Sequence, residues 1–473
     1  MFEEKLKEFE SIFHPKTIAV AGASPNENKM GSLWVKSFIS AGFPGTVCPV
    51  GPSEGTICGL NIFPNLRLVP GEVDYVVVCV PRESVLELLD DCAAKKVKAV
   101  HFFTAGFSEM GEEGSKLEEQ MLRKARQGGF RIIGPNCLGI YCPESRIPCG
   151  PSPRIGASGS IGFVSQSGGI ADKLMEVGIA RHINYSKGIS FGNGIDLDAS
   201  DFLQYLVADP KTSVIGTYLE GTRNGRRLFD TMKEVAKFKP LIVWKGGRTE
   251  VGAQAAMSHT GSLASSAAMW SAMLRQAGAI EVQNLEALSD TLLIFQQLGR
   301  WKGNNVAIVG GLADGGGGIS VSASDSCMES GLKLPPLSSK TRMALSKLLG
   351  EVGSILHNPI DVSQARRHGS LNLFQAIELI LKDPVIELLL IQEDIDILLT
   401  LLSWEEVKRI NDFFIQIRSK QDKPLVVVLP PGSAEPKRLN AEQRLLQAGV
   451  PVFPSVGRAA RAIVNINKYF SFR

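Results

Sequence analysis

The chain has 473 residues, of which 44% are hydrophobic and 21% charged, and it contains 48 glycines. This composition is typical of a folded α/β protein and excludes a disordered chain, while the length predicts about three domains. The 51 Lys and Arg residues nearly balance the 48 Asp and Glu residues, which excludes a broad basic surface for nucleic acid or an anionic membrane.

The N-terminal segment MFEEKLKEFESIFHP is amphipathic and lacks the apolar core of a signal peptide. No run reaches the ~18 apolar residues that are needed to span a bilayer. The eight cysteines form no CxxC pair, so we expect reduced thiols and no bound metal. These features together predict a soluble cytoplasmic protein.

Short apolar runs alternate with turns and helix-like segments from Thr17 onward, which predicts parallel strands joined by crossover helices. The runs are almost continuously apolar, as is usual for strands that are covered on both faces. In the first part of the chain the strands are predicted at 17–24, 46–50, 74–81, 99–107 and 130–136. We therefore expect residues 1–150 to form a Rossmann-like domain.

The same alternation restarts twice after a linker rich in proline and glycine at 142–160. Residues 151–300 are predicted to form a second α/β domain, with later strands at 213–221 and 240–247. Residues 301–473 open with a strand, a turn and a helix at 304–331 and continue with strands at 385–394 and 423–432. The fold class expected for the whole chain is α/β, a Rossmann-like domain followed by two flavodoxin-like domains.

Each of the three domains opens with a strand that runs into a glycine-containing turn and then a helix. This arrangement aims backbone N–H groups and the positive end of the helix dipole at one spot, which favours anions. The first turn, Gly22 to Gly31, lacks the GxGxxG dinucleotide spacing and is alternatively a plain α/β turn. The second, Ser165 to Gly169, suits a tetrahedral anion, and the third, Gly315 to Gly318, is alternatively a mobile loop.

One histidine has surroundings that suggest chemistry. His259 lies in a stretch of small residues at 247–266, so a large charged partner could reach its imidazole. A structural role remains the alternative at this point. Structural or surface roles are also expected for His14, His101, His182, His357 and His368.

Seven motifs along nearly the whole chain resemble those of the α part of ADP-forming acetyl-CoA (acyl-CoA) synthetases and, more distantly, of succinyl-CoA synthetase. They are IAVAGAS with Gly31, FTAGFSEMGEEG, IIGPNCLGI, VSQSGGIAD, the Glu220-Gly221 pair, SHTGSLA and NPIDV at 358–362. The resemblance implies an acid–CoA ligase that interconverts acyl-CoA, phosphate and ADP with acid, CoA and ATP. The reaction would pass through an acyl phosphate and a phosphohistidine.

The resemblance also implies roles for individual residues. His259 would carry the phosphoryl group and Glu220 would hold its ring through the far N–H, although Glu220 is alternatively a surface acid at a strand end. The implied phosphate-binding positions are Ser165, Gln166, Ser167, Gly168, Gly169, Gly315, Gly316, Gly317 and Gly318. The implied CoA-binding positions are Gly22, Ala23, Ser24, Gly31, Val80, Pro81, Thr104, Ala105, Gly106, Asn136 and Cys137.

Three features qualify these implications. Ser53 stands where many relatives have a CoA-binding lysine, and the third glycine turn reads GGLADGGGG where the family has GGPG. Cys137 is expected to pack rather than to act as a nucleophile. The departures leave open a non-catalytic CoA-binding scaffold.

Neither an ATP-grasp module nor a P-loop is recognised in the sequence. Mg-ADP or Mg-ATP is therefore expected on a partner, an ATP-grasp β subunit, and the histidine segment would swing between the two sites. A nucleotide-independent, CoA-dependent acyl or carbamoyl transferase is a further alternative. A plain Rossmann oxidoreductase is disfavoured because no ribose-binding acid follows the first turn. The sequence does not identify the small acyl substrate.

Overall fold

The structure, a computed structural model, describes residues 2–260, 266–310, 317–349, 357–362, 370–420 and 422–471. By internal packing the chain divides into two compact units, residues 1–288 and 289–473. Within the described ranges, no helix combines the length and the apolarity needed to cross a membrane.

The first sheet of unit 1 is parallel and has the strand order β2-β1-β5-β6-β7. Beside it, β3 and β4 form a short antiparallel pair. The strands up to this point are β1 Thr17–Ala21, β2 Thr46–Val50, β3 Thr56–Ile57, β4 Leu60–Asn61, β5 Tyr75–Val78, β6 Ala99–Phe102 and β7 Arg131–Ile133. All four residues of β5 are buried, as its apolar run predicts for a central strand covered on both faces.

The second sheet of unit 1 has the order β13-β12-β11-β9-β10-β8. Its strands are β8 Gly139–Tyr141, β9 Ser158–Ser165, β10 Tyr185–Ser190, β11 Val214–Leu219, β12 Leu241–Lys245 and β13 Ile280–Val282. All pairings are parallel except that of β8, which runs antiparallel to β10. The chain thus joins the second sheet before residue 151, where sequence reasoning places the boundary.

Apart from α1, which precedes β1, the helices of unit 1 connect strands as crossovers. They are α1 Phe2–Phe13, α2 Met30–Ala41, α3 Val85–Lys95, α4 Glu112–Gly128, α5 Gly168–Ala180, α6 Ala199–Ala208, α7 Gly225–Phe238, α8 Glu250–Thr260 and α9 Ala267–Ala277. Short 3-10 turns occur at Leu66–Leu68, Arg82–Ser84 and Ser108–Met110.

Unit 2 contains one parallel sheet with the order β15-β14-β16-β17-β18. Its elements are α10 Leu285–Leu298, which contains the unit boundary, β14 Val306–Gly310, α11 Gly317–Ser330, α12 Ser339–Leu349, β15 Ile360–Asp361, α13 Ser370–Leu381, β16 Leu388–Gln392, α14 Ile395–Leu401, α15 Trp404–Lys420, β17 Leu425–Val428, α16 Glu435–Gln447, β18 Val452–Phe453 and α17 Val456–Ser471. The predicted α/β fold class is confirmed by these three largely parallel sheets.

A continuous apolar core joins the two sheets of unit 1. It contains Val20 and Val77 of the first sheet together with Val164 and Ile215 of the second. The shared core explains why packing separates two units where the sequence suggests three domains. The three-domain division stays a prediction.

Candidate functional site

The first glycine turn follows β1. Gly22 has a φ of +100°, and its N–H and that of Ala23 donate to the Val50 carbonyl at 2.9 and 3.0 Å. The N–H of Ser24 donates to the Ser32 hydroxyl at 3.1 Å. These amides are therefore engaged within the protein, whereas the sequence argument treats them as free donors for an anion.

Gly31 has a packing role at this turn. A Cβ atom on Gly31 would lie 2.3 Å from the Gly22 carbonyl oxygen, closer than real Cβ atoms come. Only glycine lets α2 approach the end of β1 this closely.

The residues predicted to hold CoA converge at the carboxyl edge of the first sheet. The Thr104 hydroxyl donates to the Val80 carbonyl at 2.7 Å, and the Asn136 N–H donates to the Thr104 carbonyl at 3.1 Å. Gly106, with a φ of +103°, continues the same edge and accepts a 3.2 Å bond from Arg82. The ends of β5, β6 and β7 thus form one continuous ledge.

Cys137 lies at the end of this ledge and is 4% exposed. Burial raises the pKa of its thiol to about 12, so the thiol stays protonated at neutral pH and is a poor nucleophile. This favours the packing role that the sequence suggests.

The second glycine turn links β9 to α5. The Ser165 hydroxyl donates to the Ser167 carbonyl at 2.7 Å, and the Ser167 hydroxyl accepts from the Ile170 N–H at 3.4 Å as the N-cap of α5. The N–H groups of Gly168 and Gly169 lie in the first turn of the helix, where no intrahelical acceptor exists. An anion could accept hydrogen bonds from them at the positive end of the helix.

Gln166 and Glu220 are brought together at this turn. The Gln166 Oε1 atom accepts from the N–H of Glu220 at 2.8 Å and from that of Gly221 at 3.0 Å. Glu220 is 8% exposed, and its Oε1 atom accepts from the Tyr218 hydroxyl at 3.2 Å. These bonds join the ends of β9 and β11 at the point where strand order reverses, which is where open α/β sheets bind ligands.

Lys245 is a further residue of this site that sequence reasoning missed. It ends β12, is 3% exposed, and its Nζ atom donates to the Glu220 carbonyl at 2.8 Å and to the Gly246 carbonyl. The Nζ atom also lies 5.2 Å from the centre of the Trp270 ring. Burial lowers the pKa of this lysine, an effect that nearby Glu220 opposes. The sequence did offer one indication of this residue, because Lys245 is the last residue of the otherwise apolar strand LIVWK.

His259 lies in the last turn of α8, and its side chain falls outside the part of the protein that the structure describes. The helix itself contacts the 3-10 turn Ser108–Met110. Gly315 and Gly316 also lie outside the described residues, while Gly317 and Gly318 begin α11 in unit 2.

A cleft of about 530 Å³ opens beside Gln166 and Gly221. Buried Glu118 and Asn193 lie in its wall together with Arg223. Sequence reasoning missed these three residues, because they come from α4, the loop after β10 and the loop after β11 and meet only in the folded chain.

Two family models match the chain. A CoA-binding domain covers residues 16–143, and a flavodoxin-like domain of succinyl-CoA ligases covers residues 158–295. The first matched range contains the ledge on the first sheet. The second contains both Gln166 and Glu220, which are hydrogen-bonded to each other at the carboxyl edge of the second sheet.

Named CoA ligases and a solved synthetase structure are similar to this chain over almost its whole length. The α subunit of acetate–CoA ligase [ADP-forming] I of Pyrococcus furiosus is 33% identical over 98% of both chains. Acetate–CoA ligase [ADP-forming] I of Archaeoglobus fulgidus is 34% identical over 97% of this chain, which spans 63% of that relative's length. A solved structure of the dinucleotide-forming acetyl-coenzyme A synthetase 1 of Ca. Korarchaeum cryptofilum, in complex with phosphate and ADP, is 31% identical with a TM-score of 0.86, covering 98% of this chain and 96% of that one.

Proposed function

The chain belongs to the family of ADP-forming acetate–CoA ligase α subunits, and on that premise we propose that it converts acyl-CoA and phosphate into free acid and CoA while His259 takes up the phosphoryl group. A partner would then transfer this group to ADP. The reverse direction, activation of an acid, would use the same steps.

The observation that best supports this proposal is the bridge from Gln166 to the backbone of Glu220 and Gly221. The bridge holds the backbone of Glu220 against Gln166, which lies two residues before α5 begins, and in our proposal the Glu220 carboxylate lies beside that helix N-terminus. An anion at that terminus and an imidazole held by the carboxylate would then be neighbours. Phosphoryl transfer depends mainly on positioning and on neutralisation of charge, and the proposed site would supply both.

The chemistry would proceed in two steps in this chain. A phosphate oxygen attacks the thioester carbonyl, an acyl–oxygen bond replaces the acyl–sulfur bond, and CoA leaves as the thiol. The His259 imidazole then attacks phosphorus, a nitrogen–phosphorus bond forms, and the acid leaves as a carboxylate. Glu220 would accept a hydrogen bond from the second ring nitrogen and keep the attacking nitrogen unprotonated.

The proposed binding positions follow the geometry. Phosphate would lie at Ser165 to Gly169, with Gly315 to Gly318 as the second phosphate site. CoA would lie along the ledge from Val80 and Pro81 through Thr104, Ala105 and Gly106 to Asn136 and Cys137, with Gly22, Ala23, Ser24 and Gly31 at its other end. Since the first three of those amides are engaged, the start of α2 rather than the turn itself would face the CoA phosphates.

We further propose that Mg-ADP binds an ATP-grasp β subunit and that the protein works in the cytoplasm. The P. furiosus relative is named as an α subunit, which supports a separate partner. The eight cysteines are all free thiols, in agreement with a reducing compartment.

The experiment is to incubate the purified chain with an acyl-CoA and labelled phosphate and to measure label that is acid-labile and base-stable. We expect labelling of the wild type, none in His259→Asn, and at least tenfold slower labelling in Glu220→Gln. His357→Asn, at an exposed histidine of unit 2, is the control and should label normally. A wild type that binds CoA but neither becomes labelled nor releases CoA from acyl-CoA would indicate a scaffold. Release of CoA from acyl-CoA without any labelling of the protein would indicate a transferase.

A further inference from the structure

Three residues carry the chain from the first sheet of unit 1 to the second. Asn136, Cys137 and Leu138, here called the junction segment, lie between β7 and β8. The Asn136 N–H donates to the Thr104 carbonyl on the ledge at 3.1 Å, and the Leu138 N–H donates to the hydroxyl of Ser190, the last residue of β10, at 3.1 Å. One end of the junction segment is therefore bonded to the first sheet and the other end to the second.

Leu138 also lies beside the proposed phosphate turn. Gly168 is the first residue of α5, and a Cβ atom on it would lie 3.1 Å from Leu138 Cγ. Ser190, which accepts from Leu138, pairs in register with Ser165, where that turn begins. The junction segment thus runs from the proposed thiol end of CoA to the proposed phosphate position.

His101 supports the middle of the junction segment. It lies in β6, is 1% exposed, and its Nε2 atom donates to the Cys137 carbonyl at 3.0 Å. A carbonyl oxygen can only accept, so Nε2 carries a proton. Burial lowers the pKa of His101 to about 4, against the opposing effect of the bond to Cys137. The imidazole is therefore neutral at pH 7, with its one ring proton on Nε2.

The imidazole ring is held in place by its neighbours. Trp34 lies edge-on to it with ring centres 5.4 Å apart, and Tyr75 stacks on it at 6.1 Å. Gly139 follows the junction segment with a φ of +72°, and a Cβ atom there would lie 2.6 Å from Nδ1 of the ring. The chain therefore passes directly against the ring, and the Cys137 carbonyl is fixed relative to β6.

Packing alone does not account for a histidine at this position. The strand AVHF is otherwise apolar, and burial of an imidazole costs free energy that burial of an apolar side chain does not. Among the described residues, its Nδ1 atom has no hydrogen-bond partner. The hydrogen bonding of His101 within the described structure is thus directed at one group, the Cys137 carbonyl.

We propose that His101 is a positioning residue that sets the separation between the thioester carbonyl and the attacking phosphate, acting through the Cys137 carbonyl and the junction segment. The proposal rests on the ligase function proposed above. A misplacement of about 1 Å between reacting groups costs on the order of a hundredfold in rate, whereas CoA would be held along the whole ledge. Loss of the bond should therefore slow attack on the thioester and leave the affinity for CoA unchanged.

The test compares His101→Met, which keeps an extended side chain and removes the donor, with His101→Gln, whose amide nitrogen can take the place of Nε2. Each full chain is given acetyl-CoA and labelled phosphate, and the rate of His259 labelling and the Kd for CoA are measured. We expect labelling to slow about tenfold or more in the methionine variant and to recover most of its rate in the glutamine variant. The Kd for CoA should be the same in both variants and the wild type.

Acetyl phosphate labelled at phosphorus separates the two chemical steps. It enters after the thioester has been cleaved, so labelling from it needs only His259 and the phosphate turn. We expect His101→Met to label from acetyl phosphate at the wild-type rate, a result that a general loss of folding would not give. A wild type that does not label from acetyl-CoA would contradict the ligase function itself rather than the role of His101.

Val77→Ala is the matched control, since Val77 is the register partner of His101 on β5 and is fully buried. It should lower stability without changing the ratio of the two labelling rates. If His101→Met does not fold, His101→Asn makes the same comparison, because its shorter amide does not reach the carbonyl. The proposal is overturned if the ratio in the methionine or asparagine variant equals that in Val77→Ala, or if the glutamine variant is equally slow.

Discussion

Lys245 shows at the scale of single residues how the proposed catalytic carboxylate is held. Its ammonium group donates to the backbone carbonyl of Glu220, while the Gln166 side chain accepts from the N–H of the same residue. The peptide on both sides of Glu220 is thus fixed by side chains from β12 and from the turn after β9. Lys245 acts on the carboxylate only through the backbone and is a positioning residue.

Replacement of Lys245 by Met keeps the length of the side chain and removes both hydrogen bonds. We expect labelling of His259 to slow at least tenfold with unchanged affinity for CoA, because the CoA ledge lies on the other sheet. Lys239→Met is the matched control, since Lys239 also donates to two carbonyls, those of Leu206 at 2.8 Å and Asp209 at 2.6 Å, at the opposite end of β12. Both variants should lose about 1–3 kcal/mol of stability, and equal labelling rates in the two would contradict the positioning role.

Glu393 is a second residue whose environment has a measurable consequence. It follows β16, is fully buried, and neither carboxylate oxygen finds a donor among the described residues. Burial raises its pKa to about 8, so the folded protein holds a proton at pH 7 that the unfolded chain, with a pKa of about 4.3, has released. Stability of unit 2 should therefore fall as pH rises from about 4.3 to 8.

Glu393→Gln should remove this pH dependence. We expect a gain on the order of 3 kcal/mol at neutral pH and almost none near pH 4, measured by denaturant unfolding. Glu405→Gln, at a side chain that is 73% exposed, should change stability by less than about 0.5 kcal/mol at either pH. A Glu393 variant that is less stable at every pH would show that the ionised carboxylate is stabilised by the protein.

At the scale of elements, α1 packs against structure on both sheets of unit 1. Phe9 is fully buried, with its ring stacked 5.1 Å from that of Tyr205 and edge-on 5.5 Å from that of Phe202. Glu8 pairs with Arg131 of β7, and Lys5 pairs with Asp201 of α6 at 3.2 Å. The helix thus contacts β7 of the first sheet and α6, which packs on the second sheet. Its sequence indicates only that one face of the helix is apolar.

Truncation of Phe9 to Ala should destabilise unit 1 by about 3–5 kcal/mol, since it leaves a cavity between α1 and α6. Lys7→Ala, at an exposed position of the same helix, should cost less than about 0.5 kcal/mol. Denaturant unfolding at a fixed pH measures both. Similar losses in the two variants would show that helix propensity rather than packing holds α1.

At the scale of the whole molecule, each of the two units buries an apolar core of its own. The core of unit 1 joins its two sheets, whereas residues such as Ile308, Leu390 and Val427 are fully or almost fully buried within unit 2. Calorimetry should therefore show two unfolding transitions rather than one or three. Phe9→Ala should lower one of them and Glu393→Gln should raise the other, and a shift of both transitions by either variant would contradict separate units.

The sequence by itself determined the parallel α/β architecture and the family. Apolar runs such as β5 and turns such as Ser165 to Gly169 are local patterns, because strand burial and helix N-termini follow from nearby residues. It also singled out Gln166 and Glu220, and the structure joins them. The expected role of His259 remains a prediction.

Only the tertiary structure decided which distant segments of the chain contact one another and which hydrogen bonds they form. The N–H groups of Gly22 and Ala23 donate to the carbonyl of Val50, which lies in another strand. β8, which follows the last strand of the first sheet along the chain, pairs with β10 of the second sheet. Lys245, Glu118 and Asn193 acquire their partners from segments far away in the chain. Pairings of this kind depend on which surfaces the core brings into contact, and the order of residues in one segment does not encode them.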